Sequence, residues 1–173
     1  GGRAVFRDRP LRHVEGNVPV ANILVVYLEE LLVCTDEGER RLSGFLRHLP
    51  ATGWLPLVIT ARESAFADRD EKTMADVPRG ARVLRAWGVD LSRALSFRGL
   101  HPRWLETPDR WNTWAIGAAI AGAKAARRHR VDAIWATFPV PSALLAGLIV
   151  RRLTGLPLVA DLRDPIVYET WPA

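Results

Sequence analysis

Val20-Ala21-Asn22-Ile23-Leu24-Val25-Val26-Tyr27-Leu28 is a short, nearly unbroken apolar run rich in β-branched side chains. A strand with one wet face alternates apolar and polar residues. A run without that alternation predicts a strand buried on both faces, as a parallel sheet requires. Leu55 to Thr60, Ala133 to Thr137 and Pro157 to Asp161 repeat the pattern, and Arg82 to Ala86 reads as a shorter strand. Asp36 and Glu39 form a capping-box spacing ahead of a helix whose Leu42, Phe45, Leu46 and Leu49 make one apolar stripe. Pro50 and Gly53 stop it. A second helix is expected from Asp109, as N-cap, to about His129, and a third from Ser142 to Leu153, ended by Gly155. Strands alternating with helices imply right-handed crossovers. The expected fold is therefore α/β, a Rossmann-like parallel β-sheet flanked by helices.

A chain of 173 residues can bury one real core. Residues 1–19 are expected to form a flexible leader, since Arg3 to Asn17 is charged and aperiodic with Pro10 inside it. Residues 20–173 then make one domain. The leader lacks the apolar centre of a secretory signal. Ala133 to Val150 carries no charge and approaches the length of a membrane span, but Pro139 and Pro141 interrupt it. It is expected to be strand, turn and helix.

The single Cys34 rules out an internal disulfide and a cysteine metal cluster, and fits a reducing compartment. His13, His48, His101 and His129 show no ligand spacing. The net charge of +5 gathers in Arg40-Arg41, Arg127-Arg128-His129-Arg130 and Arg151-Arg152. Solvated helix faces are the plain reading; peripheral contact with an anionic membrane is the sharper one. No aromatic–basic interleaving points to nucleic acid.

In open α/β sheets ligands bind outside the carboxyl ends of the strands. That edge is expected at residues 28–39, 61–80, 137–142 and 161–168. Asp161-Leu162-Arg163-Asp164-Pro165 follows directly on the last apolar run, and two carboxylates with a guanidinium belong in a loop at that rim. A structural Asp161–Arg163 ion pair is the alternative. Glu37, Gly38 and Arg40 lie at the cleft edge by position, and Pro139 in the turn after the fourth strand. Ser142 either caps its helix or touches a substrate. Trp111 and Trp114 read as core, and Trp104 as a loop residue able to stack on a sugar.

Five stretches in order resemble the N-terminal, acceptor-side domain of GT-B glycosyltransferases, in the retaining group that builds bacterial envelope polysaccharides. They are Asn22 to Val26 with the helix Gly38 to Pro50, Gly53 to Thr60, Pro108-Asp109-Arg110-Trp111, Asp132 to Ala143, and Thr154 to Pro165. The likeness spans about residues 22 to 168. It departs from the family pattern in three places. The loop after the first strand, glycine-rich in relatives, carries Glu29, Glu30, Asp36 and Glu37 here, and four carboxylates there would repel a phosphate. Thr137-Phe138-Pro139 stands where many relatives have a His, and Ile166 where an aromatic is usual.

The resemblance implies transfer of a sugar from a nucleotide-sugar to an acceptor hydroxyl, free or lipid-linked, with no metal required. It implies catalytic roles for Asp161, Arg163 and Asp164: a carboxylate accepts a hydrogen bond from the acceptor hydroxyl, and Arg163 meets a phosphate. Glu37, Gly38, Arg40, Pro139 and Ser142 would line the substrate site. The donor would be held by a further domain downstream of residue 173, so the chain alone is expected to be inactive. The setting implied is cytoplasmic, at the inner face of the membrane. A non-catalytic or degenerate α/β binding module is the alternative, favoured by the acidic first loop. A nicotinamide-dependent enzyme is disfavoured, because no Gly-x-Gly-x-x-Gly follows the first strand.

Overall fold

The computed structural model describes residues 12–14, 18–28, 42, 44–62, 81–88 and 109–162. They form the strands β1 (Arg12–Val14), β2 (Val18–Val26), β3 (Trp54–Ala61), β4 (Arg82–Ala86), β5 (Ala133–Thr137) and β6 (Leu158–Asp161). The helices are α1 (described at 42 and 44–48), α2 (Asn112–Arg128) and α3 (Pro141–Thr154). β2 to β6 make a parallel sheet in the order β4-β3-β2-β5-β6. This is a Rossmann-like α/β arrangement. The chain starts at the central strand, winds outward through β3 and β4, then crosses back to β5, so the winding reverses between β2 and β5.

The unbroken apolar run at the start of the sheet has the environment it implies. Leu24, Val25 and Val26 are fully buried, with a strand on each side and side chains on both faces. On one face Leu24, Val26, Ile59, Ile134 and Ala136 pack against α2 and α3. On the other, Ile23, Val25 and Val58 pack against Leu42, Leu46 and Leu49 of the α1 region. Phe45 of that helix stacks on Trp135 of β5, their ring centroids 4.4 Å apart. The stretch from Ala133 to Val150 is strand, turn and helix, and no described helix is long and apolar enough to cross a membrane.

Small residues set how closely α2 lies. Gly117 faces the backbone carbonyl of Trp87, where a Cβ would collide with it. Gly122 sits where a Cβ would come within 2.8 Å of Val150 and 3.2 Å of Ile59. Trp111 and Trp114 are buried in this layer, as core rather than as open platforms.

Three features differ from the sequence expectations. β1 lies inside the stretch read as leader and pairs antiparallel with Val18–Val20. Three residues are too few for periodicity to show, and the pairing depends on where β2 begins. α2 starts at Asn112 with Trp111 as N-cap, because Asp109 accepts the Trp111 N–H (2.7 Å) in a turn that precedes the helix. α3 has Val140 as N-cap and Pro141 in its first turn, so Ser142 lies inside the helix and does not cap it. Gly155 ends α3 in the left-handed conformation, the stop its sequence implies.

Candidate functional site

Parallel register brings the carboxyl ends of β2, β3, β4, β5 and β6 to one edge. β2 pairs with both β3 and β5 up to Val26, opposite Ile59 and Ala136. Thr60 pairs with Arg85, and Thr137 with Asp161. The ladder continues one step past β2, where the Tyr27 N–H donates to the Ile59 carbonyl at 3.0 Å. Arg85, Thr60, Tyr27, Thr137 and Asp161 therefore stand at one level on five adjacent strands.

Side chains alternate between faces along a strand. Val83, Val58, Val25 and Trp135, two residues earlier, pack on the α1 side. The five polar residues are accordingly on that face as well. At about 4.8 Å per strand, the row is roughly 19 Å long. Its ends, Arg85 and Asp161, are half-buried; Thr60, Tyr27 and Thr137 between them are buried. The Thr60 hydroxyl, on a side chain 1% exposed, has no hydrogen-bond partner among the described residues. Such a buried orphan costs about 1–3 kcal/mol, and a polar group reaching this row would offset that cost.

The Asp161 end is the more fully built. The Thr137 hydroxyl lies 3.0 Å from Asp161 Oδ2 and 2.9 Å from the Phe138 carbonyl oxygen. It has one proton to give, and the carboxylate is the stronger acceptor. The Phe138 N–H donates to the Asp161 carbonyl at 2.9 Å, fixing the turn from 138 to 140 against the tip of β6. Pro139 is half-buried in that turn. Asp161 and Tyr27 stand two strands apart at the same level, about 10 Å from each other on this rim.

Ser142 is fully buried, and both its polar groups turn inward. Its N–H donates to Asp109 Oδ2 at 2.6 Å, and its hydroxyl donates to Asp109 Oδ1 at 2.7 Å. Its role is to join α3 to the turn before α2, so contact with a substrate is not available to it. A single carboxylate thereby serves N–H groups ahead of α2 and in the first turn of α3, where helix dipoles favour negative charge.

Of the other residues expected at the site, Arg163, Asp164, Glu37, Gly38 and Arg40 lie outside the described residues, as do Cys34 and Trp104. Sequence reasoning missed Thr60, Tyr27, Thr137 and Arg85 as a group. Each is one polar residue ending an apolar run, a signal that gains meaning only once the register is known. It also missed Trp87, which stands 54% exposed just after β4 at this rim. Among the described residues, no three His, Cys, Asp or Glu side chains gather as metal ligands.

No family model matches the chain. No curated protein matches it either. Among solved structures, two of the C-terminal domain of a hydrogenase from Pyrococcus furiosus are similar. One is 13% identical with a TM-score of 0.49, covering 84% of this chain and 96% of the other. The second is 10% identical with the same TM-score of 0.49, covering 87% and 100%. A likeness of that size transfers no function. The chain is a Rossmann-like α/β domain with a polar row at the carboxyl edge of its sheet.

Proposed function

We propose that this domain is the acceptor-binding half of a glycosyltransferase, holding a hydroxyl acceptor at the carboxyl edge while a further domain carries the nucleotide-sugar. The observation that supports this reading is Asp161 at the tip of β6, with Oδ2 engaged by the Thr137 hydroxyl. A carboxylate has lone pairs on both oxygens, so one hydrogen bond from Thr137 orients the group and leaves Oδ1 able to receive a substrate hydroxyl. In the transfer, the bond from the anomeric carbon to the diphosphate oxygen breaks as the bond to the acceptor oxygen forms. The electron pair leaves with the nucleoside diphosphate, and the acceptor's proton ends on the released diphosphate. Asp161 positions that hydroxyl.

Arg163, by its place in sequence, would meet the leaving phosphate, with Asp164 beside the acceptor and Glu37, Gly38 and Arg40 across the cleft. Pro139 would shape the turn beneath the acceptor. In this reading the domain works in the cytoplasm at the inner face of the membrane. A second reading, a non-catalytic binding module, is favoured by Glu29, Glu30, Asp36 and Glu37, which disfavour phosphate at the first loop.

Saturation-transfer NMR with mono- and oligosaccharides tests the proposal on this chain. Glycan contact is expected, and Asp161→Asn should abolish it with an unchanged melting temperature. Absence of glycan contact in the wild-type chain, or equal loss of stability and contact in Asp161→Asn, would defeat it. Glycan contact with no nucleoside diphosphate binding by the full-length protein would select the non-catalytic module.

A further inference from the structure

We propose that the outer face of α2 and α3 docks on an anionic membrane surface, on the side of the sheet away from the polar row. The helices run side by side over one face, from the carboxyl edge to the amino edge. On α2, Ile116 and Ile120 are 58% and 52% exposed, one turn apart, and Lys124 continues the same line. Arg127 and Arg128 close the helix. On α3, Leu148 is 50% exposed, with the exposed Arg151 and Arg152 one turn further on. The Arg127 guanidinium donates to the Leu153 carbonyl at 3.5 Å, which brings the two basic ends together.

Neither helix contains an Asp or Glu. The Asp132 carboxylate that follows α2 is taken by the Asn22 N–H at 2.8 Å. The surface is thus apolar along its length and cationic toward one end, with no carboxylate on either helix to balance it.

Helix dipoles account for cations in the last turn of each helix. They do not account for Lys124, a turn earlier, nor for three large aliphatic side chains held in water on the same face. A bilayer interface meets both needs, since head groups take the cations while the aliphatic tips enter the acyl boundary. An acidic protein would meet the cations alone. The docking gives a surface to the membrane setting of the proposed function. Because the candidate acceptor row lies on the other face of the sheet, failure of the docking would leave glycan contact untouched, and the two can fail separately.

Co-sedimentation with vesicles tests it. The wild-type chain is expected to bind phosphatidylcholine vesicles containing phosphatidylglycerol, to ignore pure phosphatidylcholine, and to release steeply as salt rises. Lys124→Glu with Arg128→Glu and Arg152→Glu should weaken binding by about a hundredfold, at roughly fivefold or more for each cation lost. The milder Gln set, which keeps the fold if charge reversal at the helix ends does not, should give an intermediate loss. Ile116→Ser with Ile120→Ser should weaken binding several-fold with the salt dependence unchanged. Equal binding to both vesicle types, no binding to either, or variants that bind like the wild type would overturn the proposal. So would loss of vesicle binding to soluble poly-glutamate together with indifference to the isoleucine changes, the pattern of a surface for acidic proteins.

Discussion

Asp109 shows how much one side chain can organise. Its two carboxylate oxygens accept three donors: the Trp111 N–H, the Ser142 N–H and the Ser142 hydroxyl. Removing the carboxylate strands two donors on a fully buried residue. Asp109→Ala should therefore cost about 3 kcal/mol in urea unfolding, and Ser142→Ala about 1 kcal/mol. Because the two share hydrogen bonds, the double variant should cost less than the sum, by roughly 1 kcal/mol. Full additivity would mean that the helices are not joined here. Arg130 presents the reverse case. It has φ 50, in the left-handed region just past the end of α2, where an L side chain is strained. Arg130→Gly should relieve that strain and gain up to about 1 kcal/mol, less the entropy that glycine adds to the unfolded chain. Sequence alone suggested a helix-starting role for Asp109, but not its reach across 33 positions to Ser142. Asp161 was legible as a rim residue because a carboxylate cannot end a buried run inside the sheet. Its hold by Thr137 was not, since that contact depends on which residues of β5 and β6 lie opposite each other.

At the scale of elements, the strands were the most legible part of the chain, because a strand buried on both faces writes itself as a continuous apolar run. β2, β3, β5 and β6 lie within two residues of their expected ends, and β4 coincides with its expected span. β6 departs from the expected burial on both faces: it is an outer strand with Val159 and Ala160 exposed, because a run of four or five apolar residues does not say whether a further layer covers it. Helix starts were less legible. Asp109 and Ser142 have capping side chains, yet Asp109 stands two residues before the N-cap Trp111 and Ser142 two residues after the N-cap Val140; Asp109 serves the Trp111 N–H and Ser142 together. The close seat of α2 on β4 was also invisible in sequence, where Gly117 is one small residue among many. Its lack of a Cβ lets the Trp87 carbonyl approach the helix. Backbone cannot yield as a flexible side chain can, so Gly117→Ala should destabilise the fold by about 2 kcal/mol despite the better helix propensity of alanine. Lys124→Gly measured against Lys124→Ala, at an exposed position of the same helix, isolates propensity and should cost about 1 kcal/mol. If Gly117→Ala were neutral or stabilising, the seat of α2 would not depend on that contact.

For the whole molecule, stability should fall off with distance from β2. That strand is flanked by β3 and β5 and covered on both faces, and its partner β5 lies more than a hundred residues later in the chain. Its amides cannot open without separating the α1 layer from the α2–α3 layer, so they should exchange with deuterium only through global unfolding. β6 is at an outer position of the order, with Val159 exposed on the face opposite α3. Its amides should open locally, with a free energy several kcal/mol below the global value, within the span such openings cover. β1 pairs through only three residues on one side and should be among the first to exchange. This gradient bears on the candidate site, because Thr60 and Tyr27 end strands from the slow centre while Asp161 ends the fast edge. A ligand bridging the row should therefore slow exchange in β6 as well as in β2, because local opening of β6 and global unfolding would both release it. Slowing in β2 with β6 unchanged would place the ligand elsewhere on the fold. Slowing in β6 and in the turn from 138 to 140, with other locally opening segments unchanged, would locate it at Asp161.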